Sequence, residues 1–277
     1  MRLPIALRLL TPLPLLLMSG LANANPRPLP FTYPNETLPK GNLELELYTD
    51  VNPLRVYRDP ADPTAGKLWE PGYILQNEFE YGLTDHVELG FYQVFEANPA
   101  DGGQNGMSFD GLKWRVRTRL AEPGELPVDI GLYFELETMH DELSFEEKLN
   151  LQKRFGRAAW MANLWVEEEI ERPLDSSNHG RELEFVINPT TGFTYELTPA
   201  FHPGIEYWAR GQLETEGTPQ ERANARVHHF LGPAIHFELG RLWWSGGLYV
   251  NLNSTKIPQP GDAYGPVWFR SVLGLDL

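Results

Sequence analysis

From residue 42 to the C-terminus the chain repeats one unit about twelve times: roughly ten residues of alternating apolar and polar side chains, followed by a turn. The alternation is clearest in Val128-Asp129-Ile130-Gly131-Leu132-Tyr133-Phe134-Glu135-Leu136-Glu137. It closes the chain as Val267, Phe269, Ser271, Leu273, Leu275 and Leu277. A period of two sends successive side chains to opposite faces of a strand. Strands of soluble sandwiches are commonly about 5–6 residues long, whereas a tilted strand needs about 9–11 to cross a bilayer. The length and the single apolar face therefore predict an all-β, antiparallel, up-and-down transmembrane barrel of about twelve strands.

The predicted strands are 42–49, 72–82, 86–96, 109–120, 128–138, 141–155, 158–170, 181–197, 201–213, 226–239, 242–253 and 265–277. Their connections alternate. Short turns fall at 82–85, 121–127, 156–157, 198–199 and 240–241, and long connections at 49–71, 98–108, 172–180, 214–225 and 254–263. The connection near Met139-His140 is tight where a long one is due. Short turns on one side and long loops on the other are the arrangement of periplasmic turns and extracellular loops. An even number of strands places both termini on the short-turn side.

Residues 1–24 read as a signal peptide: Arg2 and Arg8, an apolar stretch from Leu9 to Met18, then Ala22-Asn23-Ala24 at the cleavage position. Residues 25–41, rich in proline, read as a flexible lead-in, with plugging the lumen and hanging in the periplasm both open to it, and 42–277 as the barrel. No other segment has the apolar run of about 18 residues that a spanning helix needs. There is no cysteine, so an exported fold must be held by other means. Without Arg2 and Arg8, 21 basic residues face 38 acidic ones, a net charge of −17 with histidine neutral. That balance argues against nucleic acid as a partner.

By parity Tyr81, Phe155, Trp160, Tyr195, Phe201 and Trp244 point outward next to short turns, where an aromatic girdle would meet the membrane interface. With these features, and with turns such as Tyr81-Gly82-Leu83-Thr84-Asp85-His86-Val87-Glu88-Leu89, the chain resembles the outer-membrane β-barrel proteins of Gram-negative bacteria. In that class the last strand usually ends in an aromatic residue read by the assembly machinery; here the final residue is Leu277. The resemblance implies residence in the outer membrane. It also implies contact with lipid and lipopolysaccharide, and handling by periplasmic chaperones and the barrel-assembly machinery.

The inward face carries Glu44, Glu46, Glu78, Glu80, Glu88, Asp129, Glu135, Glu137, Arg210 and Arg270. One strand stands out as a basic ladder: Lys113, Arg115, Arg117 and Arg119. Folding about the turns predicts Arg119 opposite Asp129, Lys113 opposite Glu135 and Arg117 near Glu88. Such charges either lock together as a salt-bridged filling or form a selectivity stripe across a pore. Bulky inward Tyr133, Trp165, Trp208, Tyr249 and Trp268 narrow the lumen. His202, Glu206, His236 and Glu238 fall on one face and are candidate ligands for a divalent metal such as zinc, although a plain polar rim is the simpler reading and no metal is assigned. His228 and His229 point to opposite faces and form no chelate.

Catalytic signals are sparse. No serine lies in a Gly-x-Ser-x-Gly setting, and neither Ser144 nor Ser245 has an inward histidine within a few residues along the chain. The sequence therefore predicts a narrow porin-like channel for small solutes or a passive structural barrel, not an enzyme and without a cofactor. The alternatives are an outer-membrane lipid- or lipopolysaccharide-modifying enzyme and a secreted all-β binding module.

Overall fold

The computed structural model describes residues 26–57, 68–97, 107–140, 142–171, 183–213, 227–253 and 265–277. The expected signal peptide, 1–24, and most of the long connections lie outside these residues. The strands are β1 (Leu43–Tyr57), β2 (Leu68–Thr84), β3 (Val87–Ala97), β4 (Ser108–Arg119), β5 (Asp129–Met139), β6 (Glu142–Phe155) and β7 (Ala158–Glu171). They continue with β8 (Leu183–Ile187), β9 (Thr190–Tyr195), β10 (Phe201–Leu213), β11 (His228–Leu239), β12 (Leu242–Asn251) and β13 (Val267–Asp276).

Each strand pairs antiparallel with its neighbour, and β1 pairs with β13 from Glu44↔Asp276 to Val51↔Phe269. That last ladder closes the sheet on itself, so every edge is satisfied, as hydrocarbon requires of a spanning sheet. Leu277 N–H completes the seam by donating to the Leu43 carbonyl at 3.0 Å.

The strands β8 and β9 occupy one position in the wall. Both lie between β7 and β10, and the register runs through the break without a slip: Val166↔Ile187 and Asn163↔Thr190 belong to one ladder. The interruption is Asn188-Pro189, where proline has no N–H to contribute. The Asn188 N–H still reaches the Trp165 carbonyl (3.0 Å), and the Pro189 carbonyl still accepts from Ala209 (3.0 Å). The wall thus has twelve strand positions, and within the predicted strand 181–197 residues 183–195 are one strand with a proline break.

Two boundaries differ from the sequence expectation. The first hairpin extends beyond residues 49 and 72, pairing as far as Tyr57↔Leu68, with a register shift between Asn52 and Arg55. That shift spans Pro53, which cannot donate to the ladder. Across β4 and β5, Lys113 faces Glu137 and Arg119 faces Gly131, two residues from the predicted register. Glu122-Pro123-Gly124-Glu125 forms a turn closed by Glu125 N–H to the Glu122 carbonyl (3.1 Å), with Gly124 at φ +85°. Leu126-Pro127-Val128 then occupy the rest of the connection and push β5 along.

Outward apolar side chains such as Leu47, Phe79, Trp114, Phe134, Leu164 and Leu248 remain 40–55% exposed. An apolar outer belt with a charged interior inverts the soluble pattern, and lipid is the solvent that suits it. At the short-turn end Tyr81, Phe155 and Tyr195 are exposed. Phe201 stacks on Phe237 (4.6 Å between centroids), and Phe237 on Trp244 (6.1 Å).

A lumen divided by the N-terminal segment

The expectation of a flexible lead-in fails for residues 26–41. This segment enters the barrel from the short-turn end, reaches the middle of the lumen at Phe31–Tyr33, and returns to the same end before β1. Arg27, Leu29, Thr32, Asn35 and Leu38 are buried among the wall strands, as are Phe31, Tyr33 and Thr37.

Its backbone forms no ladder with the wall, so its polar groups need other partners. Pro26, Pro28, Pro30, Pro34 and Pro39 remove five N–H donors outright. Inward wall side chains accept from most of the rest. Glu206 takes the N–H groups of Phe31 (3.0 Å) and Thr32 (2.6 Å), and Asn163 Oδ1 takes that of Tyr33 (2.7 Å). Gln152 Oε1 takes that of Asn35 (2.8 Å), and Glu88 that of Leu38 (2.6 Å). Asp85 takes that of Lys40 (3.0 Å).

Packing completes the fit. Leu29 is buried with Ala159, Met161 and Ala234. A Cβ on Gly192 would lie 2.6 Å from a Leu29 methyl, and one on Gly131 2.7 Å from Asn35 Oδ1, so the wall makes room where the segment passes. Phe31 stacks on Trp208 (4.4 Å) and meets Tyr249 edge-on (5.2 Å), with the Arg270 guanidinium 3.8 Å above its ring. The inward Trp208, Tyr249 and Trp268 therefore form a collar around Phe31.

The charged ladder is locked in pairs. Arg115 reaches Glu78 (2.7 Å), Glu80 (2.7 Å) and Glu88, and Arg117 reaches Glu88 at 2.8 Å. Lys113 sits between Glu137 (2.8 Å) and Glu135 (3.4 Å). Arg210 pairs with Glu167 (2.9 Å) and Glu169, and Arg270 grips Asp50 with two bonds of 2.6 Å. Arg117 near Glu88 is as the sequence predicts. Arg119 does not face Asp129: it turns to Glu122 (2.7 Å), and Asp129 instead accepts from Gly124 N–H (2.7 Å). Glu44 accepts from the Trp243 indole and Glu46 from the Tyr48 hydroxyl.

Arg27 brings one more cation into this acidic wall. Its guanidinium lies over Tyr33 (4.0 Å) and Tyr48 (4.8 Å), with Glu46 and Glu78 among its electrostatic neighbours. A buried charge is costly unless opposite charges offset it, and the carboxylates on β1 and β2 do so.

The segment splits the interior into two chambers that share no lining residue. Toward the long-loop side lies a vestibule of about 570 Å³, floored by Phe31 and Tyr33. Among the described residues nine carboxylates and four cationic side chains line it, together with Tyr48, Tyr92, Tyr133, Trp165, Trp208 and Trp268. Lys148 spans the aromatic faces, 3.6 Å from Trp165 and 4.0 Å from Tyr133. Toward the short-turn side lies a chamber of about 400 Å³, bounded by Pro26, Pro28, Pro34 and Pro39 of the segment and by His202, His236 and Glu238 of the wall.

Of the four candidate metal ligands, Glu206 stands apart, since it holds the N-terminal segment and accepts from Tyr249. His202 and His236 face each other across β10 and β11, with Glu238 beside them. Ser245 does have a histidine within reach: β11–β12 pairing sets it directly opposite His236, with Oγ 2.8 Å from Nδ1. Counting along the chain missed it because the neighbour comes from the adjacent strand. Glu238 Oε1 lies 3.1 Å from His236 Nε2, which gives the outline of a Ser-His-Glu relay. The serine proton, however, is donated to the Arg27 carbonyl. His236 Nδ1 must then donate to the serine, and the imidazole cannot act as its base.

A closed twelve-position barrel with an apolar belt, short turns at one end and a charged interior defines an outer-membrane β-barrel of the Gram-negative type. The chain belongs to the DUF6662 family, a family of unknown function, which it matches over residues 22–256. No curated protein matches it in sequence. Among solved structures it is similar to the COG4313 outer membrane channel from Pseudomonas putida F1, at 12% identity and a TM-score of 0.55 over 88% of this chain and 98% of that one. It is also similar to a bacterial polysaccharide outer membrane secretin (11% identity, TM-score 0.42, 85% and 98% covered). The outer membrane channel DcaP of Acinetobacter baumannii follows (9% identity, TM-score 0.35, 85% and 96% covered). The first likeness supports the fold, and the other two are too distant to carry an argument.

Proposed function

We propose that the protein is an outer-membrane channel for small solutes, exported by its signal peptide, in which the N-terminal segment acts as a resident plug. The observation that carries this reading is the division of the lumen by residues 26–39. Wall side chains placed to accept the segment's own N–H groups hold it, and a vestibule remains above it. A barrel of about eight strands is filled by wall side chains alone, whereas twelve positions enclose a wider interior, which here the segment fills in part and leaves in part as a chamber.

The excess of carboxylates in the vestibule favours cationic and neutral solutes over anions. The buried, paired Arg115 and Arg117 serve as scaffold for the acidic wall, while Asp50, Arg270, Lys113, Lys148 and Arg210 face the solute. A liposome-swelling assay with small sugars and organic cations tests the reading. Slow entry through the full chain, rising at least severalfold when residues 26–38 are deleted, is the expected result; equal rates sink it.

A further inference from the structure

At the short-turn mouth, three side chains converge that the plug does not use. The rings of His202 and His236 are 5.3 Å apart, and a donor atom from each, with a carboxylate oxygen of Glu238, all lie within 4.8 Å of one another. Both imidazoles have one nitrogen already committed. The His236 Nδ1–H points to Ser245, whose own proton goes to the Arg27 carbonyl. This leaves His236 Nε2 as a lone pair 3.1 Å from a carboxylate oxygen of Glu238, a contact that repels unless a proton or a cation lies between them. The His202 ring is bonded to the Pro199 backbone, and its Nε2 is buried without a partner.

We propose that His202, His236 and Glu238 bind one divalent transition-metal ion of the zinc class, through the two Nε2 atoms and the carboxylate. Two imidazoles and one carboxylate select such ions over magnesium or calcium, which prefer all-oxygen shells. Metal–ligand distances of about 2.0–2.1 Å put tetrahedral ligands about 3.3 Å apart, close to the His236–Glu238 spacing. The fourth position faces the 400 Å³ chamber, open to water or to a further ligand. A hydroxyl or carbonyl that fixes the outer nitrogen of each ring is the support that ligating histidines generally have. At His236 that support runs through Ser245 to Arg27, so the ion would also brace the foot of the plug.

The site is independent of whether the barrel conducts, and binding is read without any transport. Tag-free full-length protein in detergent is titrated with Zn²⁺ by calorimetry and with Co²⁺ by visible absorption, using the heat-dependent gel shift to verify folding. One ion per chain with a tetrahedral Co²⁺ spectrum is expected. His202→Ala and Glu238→Gln should each weaken Zn²⁺ binding about tenfold or more. His229→Ala, on β11 with His236 and Glu238 but toward the long-loop end, should leave it unchanged. Glu238 is 32% exposed on its side chain, so the glutamine variant keeps the test alive if the alanine variant misfolds. Absence of stoichiometric binding, or an affinity indifferent to the folded variants, overturns the assignment.

Discussion

Asn163 holds Tyr33 by both sides of its peptide: the amide Oδ1 accepts the Tyr33 N–H at 2.7 Å, and Nδ2 donates to the Tyr33 carbonyl at 3.0 Å. A wall side chain thereby makes the two hydrogen bonds that a neighbouring strand would supply. Asn163→Leu removes both while keeping the volume. Leaving a buried pair unsatisfied costs about 1–3 kcal/mol per group. The plug should then open at least tenfold more often, measurable as open probability in planar bilayers, while the barrel's heat-dependent gel shift stays unchanged.

Glu206 carries the tip of the plug through Phe31 and Thr32, and sits 0% exposed. Glu206→Leu strands both N–H groups and the Tyr249 hydroxyl. The expected outcome is a plug released into the periplasmic side, seen as new protease cleavage between residues 26 and 41 in folded protein. A cleavage pattern identical to wild type would contradict the anchoring role.

Leu29 fills a socket of small wall residues. Removing buried methyl groups from such a site costs about 2–5 kcal/mol for Leu→Ala. Leu29→Ala should therefore raise hydrogen exchange at Phe31–Tyr33 by more than tenfold while leaving β10 and β11 protected. A uniform rise across the barrel would assign Leu29 to global stability instead.

Arg115 is the shared cation of Glu78, Glu80 and Glu88. Removing one partner of a buried ion network costs about 3–5 kcal/mol, because the remaining charges lose their offset. Arg115→Leu should lower the unfolding midpoint of the barrel in urea well beyond Arg119→Leu, whose partner Glu122 is half exposed. Equal midpoints would refute the difference in burial as the cause.

The barrel was legible because its signals are local. Period two, strand length and the alternation of connections can each be read within about twenty residues, and they placed Arg117 beside Glu88 correctly. The plug was legible only as one of two open roles for residues 25–41. Its partners are remote, with Glu206 175 residues from Phe31 and Asn163 130 from Tyr33. Its prolines, which suit an interior by removing donors, read locally as a linker. Ser245 is only nine residues from His236, but the contact crosses between β11 and β12 and so escapes a count along one strand, and parity alone placed Glu206 with the metal candidates. Register across the 120–128 turn slipped by two because turn chemistry at Pro123-Gly124, not strand pattern, fixes it.

The account's central claim is that residues 26–39 close the lumen. Single-channel recording in planar bilayers, comparing the full chain with a variant lacking residues 26–38, tests it most directly. The full chain should be silent or open in rare bursts. The deletion variant, folded by gel shift, should conduct steadily with a reversal potential favouring cations. Steady conduction by the full chain equal to the variant's, or silence from both, would contradict it.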